Sequence, residues 1–197
     1  MDEALLGYAR KHLKESQDAL AACANDAGFV ETLDKISDAL ASALTAGRKV
    51  LLCGNGGSAA DAQHIAAEFV GRFEQERAPL AAIALTTDTS ALTAIGNDYG
   101  FEQIFARQVR GIGVKGDALI ALSASGKSAN VLRALDVARE QGLMRIGFTG
   151  AKGGEMQSRC DFLLRAPSER TSIIQQIHIV AAHVVCGLVE RRLGAGR

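Results

Sequence analysis

Tryptophan is absent from the sequence, proline occurs only twice, and neither sign of charge prevails, with 22 basic residues against 22 acidic ones. A neutral balance removes the electrostatic case for nucleic acid or an anionic membrane as the main partner, leaving at most a local basic patch. Cysteine is sparse: Cys23, Cys53, Cys160 and Cys186 show neither C-x-x-C spacing nor the density of a disulfide scaffold. They read as free thiols in a reducing cytoplasm. No N-terminal apolar segment has the form of a signal peptide, and no run approaches the length of a membrane span, so a cytoplasmic protein with no membrane partner is expected. An apolar content of 48% excludes a disordered chain, and 197 residues suffice for one sizeable domain but are short for two.

What the chain does have is concentrated in residues 49–72. Val50 to Cys53 form a short apolar run, as in a strand buried on both faces. Gly54, Gly56 and Gly57 follow, with Asn55 and Ser58 among them. Glycine permits positive φ and the close backbone approach that a phosphate or sugar needs. From Ser58, a fair N-cap, the pattern turns helical on Ile65, Phe69 and Val70, and a helix starting there aims free N–H groups at an anion. His64 and Glu68 then lie one turn apart on one face, with Asp61 a turn earlier. The alanine at the sixth place rules out G-x-G-x-x-G, and no Gly-Lys-Ser/Thr closes a P-loop.

Elsewhere the hydrophobic pattern predicts helices over 2–24 and 29–46, with Gly47 stopping the second. Strands follow at 81–86, 117–123, 144–149 and 161–166. A short helix capped within 87–90 runs through Ile95, Gly96 to Gly100 forms a polar turn carrying Asn97 and Asp98, and helices cover 101–109, 129–140 and 172–192. Strands alternating with helices predict an α/β fold, a flavodoxin-like three-layer arrangement of a five-stranded parallel sheet flanked by helices. The division expected is an N-terminal helical pair over 1–47, serving oligomerisation, and one α/β domain over 48–197. In such sheets ligands bind beyond the C-terminal strand ends. The loop Ser123-Ala124-Ser125-Gly-Lys-Ser128 after the third strand can therefore share a pocket with the glycine loop, and its three hydroxyls suit a phosphate.

The two-residue turn between strand and helix resembles the sugar isomerase (SIS) family of phosphosugar-binding domains. The extended stretch Cys53-Gly-Asn-Gly-Gly-Ser58, with Asp61-Ala-Gln-His64 and Glu68, is similar to the phosphoheptose isomerases within it. The resemblance implies that Asn55, Gly56, Gly57, Ser58, Ser123, Ala124, Ser125 and Ser128 bind the sugar phosphate. Position 124 is alanine where threonine is usual, and Gln176 stands where glutamate is usual. It further implies one Zn²⁺ per subunit on His64, Glu68, Gln175 and His183, with Glu68 and His183 as the acid–base pair. Gln175 and Glu68 also contact substrate, Asn97 and Asp98 bind sugar hydroxyls, and Arg72 supports Glu68 or the substrate. The implied reaction converts sedoheptulose 7-phosphate to D-glycero-D-manno-heptose 7-phosphate through an enediol, toward the heptose of lipopolysaccharide. Glu68 and His183 are chemically suited to moving the protons of that reaction.

On one regular helix, residues 175 and 183 lie about 12 Å apart along the axis and roughly 80° apart in direction. Either Gln175 sits in an irregular first turn, or the site draws on more than one subunit. We expect the latter, in a homo-oligomer that the resemblance makes a tetramer with sites at subunit interfaces. Two alternatives stand beside the isomerase: an SIS binding protein that engages the replication initiator DnaA, and an isomerase of another phosphosugar. The intact His64, Glu68 and His183 set favours an enzyme.

Overall fold

Short segments of three to seven mainly apolar residues form strands and alternate with longer helical ones. The computed structural model describes residues 2–194. Two helices come first, α1 (Glu3–Asn25) and α2 (Ala27–Thr45). They are followed by β1 (Val50–Gly54), α3 (Gly57–Val70), β2 (Ala82–Ala84), α4 (Thr89–Tyr99), a 3₁₀ turn (Phe101–Gln103) and α5 (Ile104–Ile112). The rest is β3 (Ala118–Leu122), α6 (Ala129–Glu140), β4 (Met144–Gly150), a second 3₁₀ turn (Gly154–Ser158), β5 (Phe162–Ala166) and α7 (Thr171–Gly194).

The five strands are all parallel in the order β2-β1-β3-β4-β5, the flavodoxin-like arrangement read from the sequence. Val50 and Leu52 of β1 pack toward α2, α3 and α7, whereas Leu51 and Cys53 pack toward α5 and α6. Helices on both faces explain why the strands are continuous apolar runs rather than alternating ones. Leu33, Ile36 and Leu40 carry α2 into the first of these cores, and α1 joins α7 through Ala19 and Cys23. On its other side α1 exposes Leu5, Tyr8, Leu13 and Leu20.

Three local expectations need correction. The helix over α3 begins at Gly57 with Gly56 as N-cap, so Ser58 lies buried in the first turn instead of capping it. The expected turn at Gly96–Gly100 is helical: Asp88 caps α4, Leu92 and Ile95 pack against the sheet's second core, and the chain turns only at Gly100. Tertiary packing here overrides the turn preference of Gly-Asn-Asp. Finally, α7 is long and apolar enough to cross a membrane by length and composition, and 56% of that apolar window is buried inside the fold.

A buried histidine ties α7 to the sheet. His178 is fully buried, its Nε2 donates to Thr149 O at 3.1 Å, and its ring meets Phe148 edge-on. Burial drives its pKa down from 6.5 to about 4, only partly offset by the bond to Thr149. The folded pKa is thus below the unfolded one, so the neutral ring's contribution is complete above pH 6.5 and is lost as pH falls toward 4. A gap of that size is worth roughly 3 kcal/mol. Urea midpoints measured across this window are expected to fall with pH in the native protein and to flatten in His178→Gln. An equal slope in the variant assigns the titration to another group. Asp117 adds a second loss at lower pH. Burial pushes its carboxyl up, but Lys49 and the Lys49 and Val114 amides outweigh that and hold it below the usual range.

Candidate active site

The loops after β1 and β3 are neighbours because these strands pair, from Val50↔Ala118 to Gly54↔Leu122. Two side-chain amides lock them together. Asn55 donates to Asn130 Oδ1 at 2.9 Å, and Asn130 donates back to Asn55 Oδ1 at 2.8 Å. Asn130 is buried at the start of α6 and was missed in the sequence, since its partner lies 75 residues away.

In the serine loop, Ser123 Oγ lies 2.9 Å from Ser128 Oγ and 3.5 Å from Ser125 Oγ. Ser128 occupies the N-cap of α6 but makes no capping bond, so its hydroxyl stays with the other two at the helix N-terminus. Ala124 contributes backbone only, its carbonyl accepting from Gly150 N at 3.0 Å. Gly126, at φ 65°, lies beneath the loop, where a Cβ would run into Gly153 O and come within 2.9 Å of Thr149 Oγ1. Three hydroxyls beside the N-terminus of α6, where the Val131 N–H is taken by Asn130 Oδ1 at 2.9 Å and those of Ala129 and Asn130 remain, form an anion cradle.

Beyond the glycine loop a cavity of about 430 Å³ is lined by Gly54, Asn55, Gly56, Thr86, Gly96 and Phe101. Asn97 and Asp98 lie next to it on α4, exposed and bonded to each other at 2.8 Å.

The second cluster forms where α3 crosses α7. His64 Nε2 lies 2.9 Å from His183 Nε2 and 3.1 Å from Glu68 Oε1. Ligand atoms of all three residues fall within 4.8 Å of one another. Two imidazole nitrogens and one carboxylate oxygen at this separation form a donor set that fits Zn²⁺. His183 is flanked by the Phe73 ring, stacked at 5.3 Å between centroids and 18° between planes. Asp61 stands one turn before His64, and burial pushes its carboxyl up against the opposing effect of His64.

Gln175 does not join these three within the chain. It lies in the second turn of the regular α7, and its side chain packs on Gly57, where an added Cβ would come within 2.6 Å of Gln175 Nε2. His64 is seven residues further along α3, about 10 Å by helical rise. The irregular first turn considered above is absent, because α7 starts at Thr171. Arg72 also stays outside, exposed and 3.7 Å from Glu76. Gln176 faces α1, with Nε2 at 3.5 Å from His12 Nε2. Arg77, unremarked in the sequence, donates instead to the Glu68 carbonyl at 2.6 Å.

With this geometry established, relatives place the chain. The SIS domain model matches residues 12–150. A phosphoheptose isomerase of a Bradyrhizobium species is 58% identical over 182 residues, 92% of each chain. One from Burkholderia pseudomallei is 52% identical over 193 residues, 98% of each. Among solved structures, the phosphoheptose isomerase of Francisella tularensis superposes with a TM-score of 0.91 at 37% identity, covering 97% of this chain and all of that one. That of Neisseria gonorrhoeae gives 0.89 at 43% identity, covering 95% and 99%.

Proposed function

The chain belongs to the SIS domain family, and from that premise we propose that it is a phosphoheptose isomerase, interconverting sedoheptulose 7-phosphate and D-glycero-D-manno-heptose 7-phosphate. The observation that carries this reading is the convergence of His64, Glu68 and His183 on one point in a chain that also builds a serine anion cradle. An SIS protein that only binds phosphosugar, or that engages another protein, has no need of the first feature.

The work divides among the residues as follows. Ser123, Ser125, Ser128 and the first N–H groups of α6 hold the phosphate. Asn55, kept in place by Asn130, and the Asn97–Asp98 pair orient the sugar hydroxyls. Glu68 and His183 move protons between the two carbons and two oxygens of the reacting ends. His64, Glu68 and His183 would hold Zn²⁺, with Gln175 from another subunit as a further ligand. When bound, the zinc supplies Lewis-acid polarisation of the carbonyl and charge stabilisation for the enediolate.

The site is shared between subunits of a tetramer. Two features support this: Gln175 and the His64 cluster lie apart in one chain, and Val180 and Val184 remain exposed beside His183. The reaction is a cytoplasmic step toward lipopolysaccharide heptose, a setting that suits four free thiols.

The test is incubation of the purified protein with sedoheptulose 7-phosphate, following the aldose product by its anomeric proton resonance. Product formation is expected. Turnover of a different phosphosugar alone would reassign the substrate, and binding without turnover would favour the non-catalytic reading. Ser125→Ala is expected to raise KM about 10-fold, as loss of one hydrogen bond to a charged group does. An unchanged KM would move the phosphate elsewhere.

A further inference from the structure

Between the end of α3 and β2 the chain crosses α7 as a strap, residues 71–78, and this strap is fastened by one buried carboxylate. Glu190, its side chain 1% exposed, accepts from the backbone N–H groups of Phe73 (2.8 Å), Glu74 (2.8 Å) and Gln75 (3.0 Å). Its fourth donor is Arg77 Nε at 3.0 Å. The same guanidinium donates to the carbonyls of Glu68 (2.6 Å), Phe69 (2.8 Å), Gly71 (3.1 Å) and Ala78 (3.1 Å). Most of these carbonyls belong to the last turn of α3 and its cap, groups a helix end leaves without partners.

A buried ion pair is often no more stabilising than apolar residues of equal volume. What this one contributes is direction. Four donors converging on a single carboxylate fix the register of the strap along α7, and the guanidinium fixes the end of α3 against the same strap. His183 and Glu190 are seven residues apart, two turns along the same face of α7. The strap therefore meets α7 at both: bonded at Glu190 and, through Phe73, stacked on the His183 imidazole. Burial pushes the Glu190 carboxyl up, but the three amides and Arg77 outweigh it and keep the group ionised below the usual glutamate range.

We infer that Glu190 and Arg77 are positioning residues for the isomerisation: through the 71–78 strap they set the plane of the His183 ring, by way of Phe73, and the end of α3 that carries Glu68. The inference rests on Glu68 and His183 being the acid–base pair. Neither Glu190 nor Arg77 touches the reacting atoms.

The experiment uses the full chain and two readouts. The first is steady-state kinetics on sedoheptulose 7-phosphate. The second, which needs no turnover, is the position of the His183 ring-proton resonances, assigned among four histidines by substitution. Stacking on Phe73 shifts these resonances upfield. Phe73→Leu keeps an apolar side chain but removes the ring, and is expected to lower kcat by about 10- to 100-fold with KM within about twofold, as small misplacements of reacting groups do. Phe73→Tyr is expected to restore most of the rate. Glu190→Gln places an NH₂ where backbone amides need an acceptor, and is expected to move the His183 resonances downfield and lower kcat in the same way.

Should Glu190→Gln fail to fold, Arg77→Lys carries the test by the same two readouts. It keeps the charge and loses the forked donors to Glu190 and the Glu68 carbonyl. Unmoved His183 resonances with native kcat in Arg77→Lys overturn the inference. Native kcat in Phe73→Leu, or a Glu190→Gln protein whose His183 resonances and kcat are both unmoved, overturns the inference. A native protein without isomerase activity overturns the acid–base reading itself, which separates the two failures.

Discussion

Glu68→Gln is expected to lower turnover of sedoheptulose 7-phosphate by about 10³-fold with KM little changed, the signature of losing a group that moves protons in the transition state. The substitution keeps the shape of the side chain next to His64 and removes its basicity, its charge and the carboxylate of the proposed zinc set. His183→Gln is expected to behave alike. The geometry then dictates which inactive variants complement one another. Glu68 and His183 belong to one chain's cluster, so mixing Glu68→Gln with His183→Gln subunits leaves every cluster defective and restores nothing. Mixing Glu68→Gln with Gln175→Ala subunits pairs an intact Gln175 from one subunit with an intact cluster from another. Activity should then return to a fraction set by the mixing ratio. Recovery in the first mixture, or none in the second, contradicts a site divided between these two elements.

In the phosphate loop, Gly126→Ala carries the second large effect. At φ 65° a residue with a Cβ costs about 1–2 kcal/mol from conformation alone. Here the added carbon also meets the Gly153 carbonyl and Thr149 Oγ1, both fixed by β4 and the turn after it. The loop must move to make room, and with it the 2.9 Å approach of Ser123 to Ser128. We expect KM to rise by about 100-fold, the loss of two charge-assisted hydrogen bonds, with a smaller change in kcat. Calorimetric titration with inorganic phosphate measures the same loss without turnover. Native phosphate affinity in Gly126→Ala would remove the serine loop from the site.

Much of this architecture was legible because each signal was local. The apolar run at Val50–Cys53, the glycines after it and the four-residue spacing of His64 and Glu68 all lie within 19 residues, and short-range periodicity reports them directly. His183 was different. Its apolar neighbours Ala182 and Val184 read as core, and only resemblance to a family raised it above a packing histidine. Gly96-Asn-Asp-Tyr-Gly100 misled because turn chemistry and helix termini use the same residues, and the packing of Leu92 and Ile95 extended the helix to Tyr99.

The residues that hold the site together were the least legible. Asn130 acts through a partner 75 residues back, and Glu190, in the run Glu190-Arg191-Arg192, resembles any solvated helix end. Charges there are usually exposed. This one is buried only because the strap comes back across α7 to meet it. Contacts that join distant segments leave no periodic trace, so a sequence shows the candidate groups of a site better than what positions them.

The most direct test of the account follows sedoheptulose 7-phosphate turnover by one preparation in three states: as purified, after chelation, and with zinc restored. The account predicts turnover that falls on chelation and returns with zinc, since His64, Glu68 and His183 present an N,N,O donor set within 4.8 Å. Turnover indifferent to chelation would take the metal out of the account while leaving the isomerase. No turnover in any of the three states would contradict the assignment itself.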